Sequence, residues 1–187
     1  MTVEVWSTFF ALLSLACWAG TIGVLVLWLV AARQPDGGAP TWLDAVADVA
    51  LWASWLVATV TMLGSLYYSQ VAHFDPCELC WATRICVYPL SLILLVAAVG
   101  KDRKVWRYVL PLTLVGIAIS TYQTQLQAFP EQKGFCSLTN PCSTRYVWEF
   151  GFISLPFMAL SCFAFITTMM FLARRADRRA PQGDLDE

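Results

Sequence analysis

The sequence predicts an all-α membrane protein with five transmembrane helices. Of its 187 residues, 58% are hydrophobic and 13% are charged, and the mean hydropathy is +0.61, which is too apolar for an ordinary soluble domain of this length. The apolar residues are concentrated in runs of roughly 20 residues or more, the length that a helix needs to cross the bilayer core. The net charge of −1 says little about the arrangement of the chain in a membrane, because the orientation of the helices depends on where Lys and Arg are placed and not on their sum. Membrane lipid is the expected surrounding, and no nucleic-acid partner is expected.

The first apolar run, residues 6–32, predicts a transmembrane helix that is retained. A cleaved signal peptide begins with basic residues and has a shorter apolar core, whereas Glu4 precedes this run and the first basic residue is Arg33. Small residues at a spacing of four favour close approach of another helix, although ordinary membrane-helix composition explains them equally well. These residues are Ala16 with Gly20 and Ala19 with Gly23.

The remaining apolar runs predict a four-helix bundle after a short loop. Residues 34–41 are dense in Pro, Gly and polar residues, so the first helix is expected to end before them. We therefore divide the chain into an N-terminal helix (1–33), a loop (34–44), a bundle (45–173) and a tail (174–187). The helices of the bundle are expected at about residues 45–70, 81–100, 108–128 and 150–173.

The basic residues predict the orientation of the helices. One cluster lies between the third and fourth helices, and four arginines follow the last one, so the positive-inside rule places both in the cytoplasm. With five spans, the N-terminus and the loops after the second and fourth helices then lie outside, where an oxidising compartment permits disulfides. The cytoplasmic residues are Lys101, Arg103, Lys104, Arg107, Arg174, Arg175, Arg178 and Arg179.

The seven cysteines fall into two groups. Three lie inside apolar runs and are predicted to be packing residues, and four lie at or between these runs and are predicted to form two working pairs. A single histidine leaves little for a multi-histidine metal site, and no metal is expected. The packing cysteines are Cys17, Cys86 and Cys162, and the working cysteines are Cys77, Cys80, Cys136 and Cys142.

Residues 75–84 join a Cys-x-x-Cys motif to the start of the third helix. Asp75 is predicted as the N-cap, Pro76 suits the first helical position, and Glu78 completes a capping box. Both thiols are then expected in the first turn. There the helix macrodipole and unpaired backbone N–H groups favour thiolate over thiol.

An arginine follows the motif at a helical spacing. Cys77 and Cys80 are three residues apart and share one helix face, and Arg84 lies four residues beyond Cys80 on that face. An arginine at a helix end is more often an interfacial anchor. The spacing here favours a functional role, because a fixed positive charge can reach the second sulfur or an acceptor beside it.

The longest interior loop, residues 129–148, carries the second pair. An Asn-Pro turn between Cys136 and Cys142 predicts a disulfide. Thiol–disulfide exchange between the two pairs moves two electrons stepwise. Since the chain has no haem-ligand pattern, no Gly-rich nucleotide loop and no histidine cluster, a lipid-soluble quinone near Cys80 and Arg84 is the economical acceptor.

These features resemble the DsbB/BdbC family of quinone-dependent disulfide-forming proteins of bacteria, and its Gram-positive, short-loop branch most closely. The resemblance covers about residues 45–173 and implies a four-helix bundle. It rests on Pro-Cys-Glu-Leu-Cys-Trp at 76–81 with Arg84, on the loop of Cys136 and Cys142, and on Phe-Gly-Phe-Ile-Ser-Leu-Pro-Phe at 150–157.

The resemblance also implies an activity and a role for each residue. The protein would reoxidise a DsbA-like thiol oxidase of thioredoxin fold and pass the electrons to ubiquinone or menaquinone. Cys136 would form the mixed disulfide with this partner, Cys142 would relay to Cys77, Cys80 would meet the quinone, and Arg84 would match the quinone-site arginine. The location would be the bacterial inner membrane, with both cysteine loops extracytoplasmic.

The sequence departs from the family pattern in its first helix and in its fourth. Residues 6–32 add a span to the usual four. Gln123 stands where many relatives are expected to have a histidine, so the proton donor to the quinone is left unassigned. Gln123, Gln125 and Gln127 alternate and cannot all share one helix face, and at least one is expected to face a polar site.

Three alternatives are kept. The four loop cysteines match the ligand set of an all-thiolate zinc site, and in a non-catalytic membrane protein the disulfides would merely brace the outer loops. A vitamin K epoxide reductase-like quinone reductase also pairs a Cys-x-x-Cys with loop cysteines. In that family the loop pair precedes the motif, whereas here Cys77 and Cys80 come first.

Overall fold

The computed structural model is a bundle of α-helices, which confirms the predicted all-α membrane fold. Within the described part of the chain, five helices are long and apolar enough to span a membrane. The described residues are 3–33, 42–132, 136 and 141–179. The helices are α1 (Val3–Arg33), α2 (Trp42–Gln70), α3 (Glu78–Gly100), α4 (Trp106–Ala128) and α5 (Leu155–Arg179), and a short 3-10 helix (Arg103–Val105) precedes α4.

Several helix boundaries differ from the predicted ones. The helix α2 begins at Trp42, so it takes up the last part of the predicted loop 34–44, whose residues 34–41 lie outside the described part of the chain. The helix α5 continues to Arg179, so the basic residues after position 173 are helical, although the segment that is apolar enough to span a membrane ends at Arg175. Residues 180–187 also lie outside the described part.

The start of α5 is later than predicted because a tight turn occupies the first five residues of the expected helix. Phe150 and Gly151 have φ angles of 50° and 81°, in the left-handed region, which an α-helix does not use. Backbone hydrogen bonds between Glu149 and Ile153, of 2.8 and 2.9 Å, close this turn. The helix then begins at Leu155, with a proline in its first turn, where no N–H donor is needed.

Aromatic contacts show which helix ends lie together. At one end, Trp6 of α1 packs against Tyr67 near the end of α2, with ring centroids 5.3 Å apart. At the other end, the guanidinium of Arg174 lies 4.6 Å from the ring of Trp106, at the start of α4. Because the helices alternate in direction, the loops after α2 and α4, which carry the two cysteine pairs, share the first end, and the basic residues between α3 and α4 and at the end of α5 lie at the second.

The helix α5 is the centre of the bundle, since it packs against α1, α2 and α4. Its side chains Phe163, Ile166 and Met170 are fully buried. Gly116 of α4 lies directly against this core, because a Cβ atom there would collide with the Phe163 ring. The helix α3 completes the bundle by packing between α2 and α4.

The helix α1 docks on the bundle through small residues, but mostly not through those singled out in the sequence. Gly20 lies close to α5, where a Cβ would come within 2.9 Å of the Phe165 ring. A Cβ at Gly23 would meet nothing within 4 Å, and Ala16 and Ala19 are exposed. The buried small and polar residues of α1 are Ser7, Ala11, Ser14 and Thr21.

Candidate active site

The N-cap of the helix that carries the Cys-x-x-Cys motif lies two residues later than the predicted one. Cys77 is the N-cap of α3, with extended φ and ψ of −72° and 173°, and its sulfur accepts a hydrogen bond from the backbone N–H of Cys80 at 3.4 Å. The prediction of Asp75 as N-cap is therefore wrong, and Pro76 precedes the cap. The cysteine sulfur itself takes the capping role. Both thiols still lie at the positive end of the helix, as expected.

A glutamine from α4 bridges the two thiols. The sulfurs of Cys77 and Cys80 are 2.9 Å apart, and the Nε2 of Gln123 donates to both, at 3.3 and 3.2 Å respectively. Gln123 is 3% exposed, whereas Gln125 is exposed and bonds to Gln132. The expectation that one glutamine of this series faces a polar site is thus confirmed, and it is Gln123 that does so.

The pair shares its protons unequally. The side-chain hydrogen bond with Cys80, together with burial, raises the pKa of the Cys77 thiol. Cys77 therefore keeps its proton and can donate it toward the neighbouring sulfur. The Cys80 sulfur lies 2.9 Å from that of Cys77 and also accepts a hydrogen bond from the amide of Gln123.

The loop cysteines form the predicted second disulfide. Cys136 and Cys142 are bonded, with their Cα atoms 6.0 Å apart. Part of the predicted Asn-Pro turn, Asn140, lies outside the described residues. The backbone N–H of Thr144 donates to the carbonyl of Pro141 at 3.1 Å, so residues 141–144 form a turn that contains Cys142.

An arginine fixes this loop to the end of α4. Arg145 donates through Nε to the carbonyl of Gln127 at 2.7 Å and through Nη2 to the carbonyls of Gln127 and Ala128. These carbonyls lie at the C-terminal end of the helix, which favours a cation. The guanidinium also lies 4.1 Å from the ring centroid of Trp148. The segment that follows the second pair is therefore held against the bundle.

The structure brings the two pairs together in one apolar cluster. Cys77 (5% exposed) and Cys142 (3% exposed) are both core members of this cluster, which Leu79 and Leu126 complete. Cys80 and Cys136 are half-buried and pack against it. Each pair therefore has one sulfur inside the shared cluster and one at its margin.

The predicted arginine lies on the same side of α3 as Cys80. Its Nε donates to the hydroxyl of Ser65 at 2.8 Å and its Nη2 to the carbonyl of Ser65 at 3.1 Å, so α2 holds the guanidinium in place. The guanidinium also lies 5.2 Å from the ring of Trp81. The bonds to Ser65 use two of the five N–H donors of Arg84.

Cys80, Arg84 and Gln123 converge on one cavity of about 240 Å³. Its walls are mostly apolar and come from α1, α2, α3 and α5. Cys77 is not among the described residues that line it. Of the two sulfurs on α3, only Cys80 therefore opens into this space.

A row of four aromatic side chains also lines the cavity, and sequence reasoning missed it as a unit. Phe10 and Tyr68 have ring centroids 5.8 Å apart, Tyr68 and Phe74 stack at 5.7 Å, and Phe74 and Tyr146 stack at 4.8 Å. The Tyr146 hydroxyl donates to the carbonyl of Asp75 at 3.3 Å. This row joins α1 to the loop of the second cysteine pair through residues far apart in sequence.

The geometry differs from that of a four-thiolate zinc site. Such a site requires four free sulfurs, whereas the disulfide takes two of the four candidates. Among the described residues, no group of three or more His, Cys, Asp or Glu side chains is placed to hold a metal ion. The arrangement instead puts one disulfide and one dithiol within the same cluster, which is what thiol–disulfide exchange requires.

Comparison with known proteins agrees with this chemistry. The family described as "Disulfide bond formation protein DsbB" matches residues 47–173. Disulfide bond formation protein C of Bacillus subtilis is 46% identical over 128 residues, which cover 67% of this chain and 93% of that protein. No solved structure matches the chain significantly.

Two further relatives extend the comparison beyond one genus. A probable disulfide formation protein of Oceanobacillus iheyensis is 42% identical over 136 residues, covering 71% of this chain and 94% of that protein. One of Coxiella burnetii is 40% identical over 132 residues, covering 67% and 88%. Since the matched region contains most of α2 and α5, all of α3 and α4, and all four working cysteines, the chain belongs to the DsbB family and is a multi-pass membrane oxidoreductase of disulfide bond formation.

Proposed function

We propose that this protein reoxidises an extracytoplasmic, DsbA-like thiol oxidase of thioredoxin fold and passes the electrons through two cysteine pairs to a membrane quinone. One observation carries the proposal. Cys77 and Cys142 are both buried in one apolar cluster, while Cys80 opens into the cavity beside Arg84. This arrangement supports a relay with a protein partner at one end and a small acceptor at the other.

The residues of the cavity fit a quinone head group. Its volume of about 240 Å³ is slightly below the roughly 300–1,000 Å³ of sites for drug-sized ligands, which suits a single ring. Apolar and aromatic walls match the ring, and the guanidinium of Arg84 and the amide of Gln123 supply hydrogen-bond donors for its carbonyl oxygens. A bound quinone supplies the chemistry of a two-electron, two-proton acceptor.

The first exchange takes place at the loop pair, in the order that the family resemblance implies. A thiolate of the reduced partner attacks Cys136, the Cys136–Cys142 bond breaks, and Cys142 leaves as a thiolate. The second thiol of the partner then attacks its own sulfur in the mixed disulfide. The partner leaves oxidised, and the loop pair keeps its two electrons as a dithiol.

The second exchange moves the electrons to the helix pair. Cys142 attacks the disulfide form of the helix pair at Cys77, its neighbour in the cluster. Cys136 then attacks Cys142, so that the loop disulfide reforms and Cys77 and Cys80 are both reduced. The structure has this distribution of bonds, with a loop disulfide and a helix dithiol. The helix pair then gives two electrons and two protons to the acceptor and closes its own disulfide.

The proposed location is the bacterial inner membrane with both cysteine loops outside the cytoplasm. The two loops share one end of the bundle, and the basic residues that the positive-inside rule places in the cytoplasm gather at the other. Protease or thiol-reagent access from the outer side of intact cells tests this orientation. Labelling of a single cysteine placed at Lys104 from outside would contradict it.

The quinone step is tested with purified protein in lipid nanodiscs. Dithiothreitol serves as the electron donor, and short-chain ubiquinone and menaquinone analogues serve as acceptors whose absorbance reports reduction. We expect Cys80→Ser to abolish reduction, and Cys86→Ser, a matched change at a buried α3 thiol outside the cavity, to retain it. A wild-type protein that reduces neither analogue, or a Cys80→Ser variant with unchanged turnover, would falsify the proposed quinone step.

The partner is tested by trapping. In Cys142→Ser the loop disulfide is absent and Cys136 is a free thiol, so the mixed disulfide forms when the Cys136 thiolate attacks the disulfide of the oxidised partner and one partner sulfur leaves as a thiolate. No Cys142 thiol can then displace the partner from Cys136, so an adduct with the physiological substrate is expected to accumulate in membranes. Mass spectrometry of the non-reduced adduct identifies that substrate. An adduct with a protein outside the thioredoxin fold, or an adduct formed equally in Cys136→Ser, would refute the assigned partner or the assigned order.

A further inference from the structure

The helix outside the family match forms part of the wall of the cavity. The matched region begins at residue 47, whereas α1 ends at Arg33. Four side chains of α1 nevertheless line the cavity into which Cys80 opens. They are Phe10, Leu13, Ser14 and Cys17.

Specific contacts hold α1 in this position. The hydroxyl of Tyr68 donates to the hydroxyl of Ser7 at 3.1 Å, and both groups are buried. The ring of Phe10 lies over Gly64, where a Cβ would come within 3.1 Å of it. The residue after Gly64 is Ser65, which holds Arg84. One turn of α2 therefore positions both the α1 wall and the arginine of the site.

One face of α1 lines the cavity, and the opposite face is exposed on the surface of the bundle. Leu13 lines the cavity, while the adjacent Leu12 is 54% exposed. Ser14 is buried, and its hydroxyl donates to the carbonyl of Ala11 at 2.8 Å, so it offers the cavity a small and internally satisfied surface. Leu15 is again exposed. This alternation provides a control residue next to the residue of interest.

We propose that α1 is part of the acceptor site, with Phe10 and Leu13 as specificity-determining residues that contact the quinone. This inference rests on the proposed quinone-dependent function and adds a binding wall that a four-helix bundle lacks. The α1 side chains facing the cavity carry no titratable group that the relay uses. They therefore contribute to binding and not to electron transfer, which predicts an effect on the apparent KM for quinone at little cost to kcat.

Photolabelling and kinetics test the proposal together. The full chain in nanodiscs is irradiated with a short-chain azido-ubiquinone, and labelled peptides are mapped by mass spectrometry. We expect label in the peptide that contains residues 10–17. Leu13→Trp, which fills the cavity, should remove most of that label and raise the KM for quinone at least about tenfold, the scale of a misfitted apolar group in a pocket. The matched Leu12→Trp should change neither.

Each outcome has a definite meaning. Label confined to α2–α5, or equal effects of Leu12→Trp and Leu13→Trp, would overturn the role of α1 while leaving the proposed function intact. If the wild-type chain takes up no label and reduces no quinone, the proposed function fails and this inference fails with it. Leu13→Ala serves where the tryptophan variant does not fold, and it should raise the KM with unchanged kcat. An unchanged KM in that folded variant would also refute the proposal.

Discussion

The two cysteine pairs differ in their supporting structure and agree in their arrangement. Cys77 and Cys80 begin a helix and are held from α4 by an amide, whereas Cys136 and Cys142 are joined by a disulfide between α4 and α5, and Arg145, three residues after Cys142, bonds to the end of α4. In both pairs one sulfur is buried in the shared cluster and the other is half-buried at its margin. The proposed relay joins the two buried sulfurs to each other and gives each of the marginal ones a different substrate.

The difference in support follows from the two substrates that we propose. A pair on a helix start is fixed relative to the bundle, and its marginal sulfur faces a cavity between transmembrane helices. A pair in a loop lies outside the regular elements, where a folded protein can reach it. We infer that each pair has a different substrate, the loop pair the protein partner and the helix pair the small acceptor, and removal of one pair at a time tests this division.

Removal of whole pairs should give the largest effect. With dithiothreitol as donor, Cys136→Ser/Cys142→Ser should still reduce quinone within about threefold of wild type, since the helix pair alone faces the acceptor. Cys77→Ser/Cys80→Ser should lose activity by more than about 100-fold, as expected when residues that act as a unit are removed. Quinone absorbance measures both. Equal losses in the two variants would contradict the division of roles.

Removal of the Gln123 amide, which bonds only to the helix pair among the four working cysteines that the structure describes, should have the next largest effect on quinone reduction. Gln123→Leu removes the donor to both sulfurs, and hydrogen bonds to charged groups contribute about 1.5–3 kcal/mol, so kcat for quinone reduction should fall roughly 10- to 100-fold. Gln125→Leu, the same change on the exposed face of α4, is the control. If kcat of the Gln123→Leu variant is no lower than that of the Gln125→Leu variant, the amide of Gln123 contributes to packing and not to the reaction of the two sulfurs.

Most of the fold could be predicted from the sequence, because an apolar run of membrane-spanning length has few alternatives to a helix. The predictions were wrong at helix ends, where individual side chains and turns determine the residue at which a helix begins. Cys77 caps α3 in place of Asp75, and the positive φ at Phe150 and Gly151 delays α5. Neither a capping sulfur nor a left-handed phenylalanine has a strong sequence signal.

The site was predictable in its reactive residues and not in their surroundings. The spacing of Cys77, Cys80 and Arg84 places them along one helix, which local periodicity describes. The contact of Gln123 with both sulfurs depends on how α4 packs against α3, and the row from Phe10 to Tyr146 depends on three separate segments. Such contacts are tertiary and leave at most a hint in the sequence, here the alternating glutamines of α4.

Removal of Arg84, the arginine beside the helix pair, should have a smaller effect, which is confined to binding of the quinone acceptor. Arg84→Ala removes a donor and a positive charge from the cavity, and we expect the apparent KM for quinone to rise about tenfold, the equivalent of roughly 1.4 kcal/mol. The rate of adduct formation with the protein partner should stay within about twofold. Arg107→Ala, at the opposite end of the bundle, is the control. Weakened partner binding with an unchanged quinone KM would reverse the assignment.

The smallest effect concerns protonation within the helix pair, which turnover does not report directly. Because the hydrogen bond with Cys80 and burial raise the pKa of Cys77, this thiol should stay protonated above the ordinary cysteine pKa of about 8.5, and its alkylation by iodoacetamide in the reduced protein should increase only at higher pH. Cys80→Ala removes the principal cause, so the midpoint of Cys77 alkylation should move to lower pH, while burial keeps it above the ordinary value. Cys86→Ala should leave the midpoint in place, and mass spectrometry across a pH series measures all three. If the midpoint in Cys80→Ala equals that of wild type, the unequal sharing of protons between the two sulfurs is not what raises the pKa of Cys77.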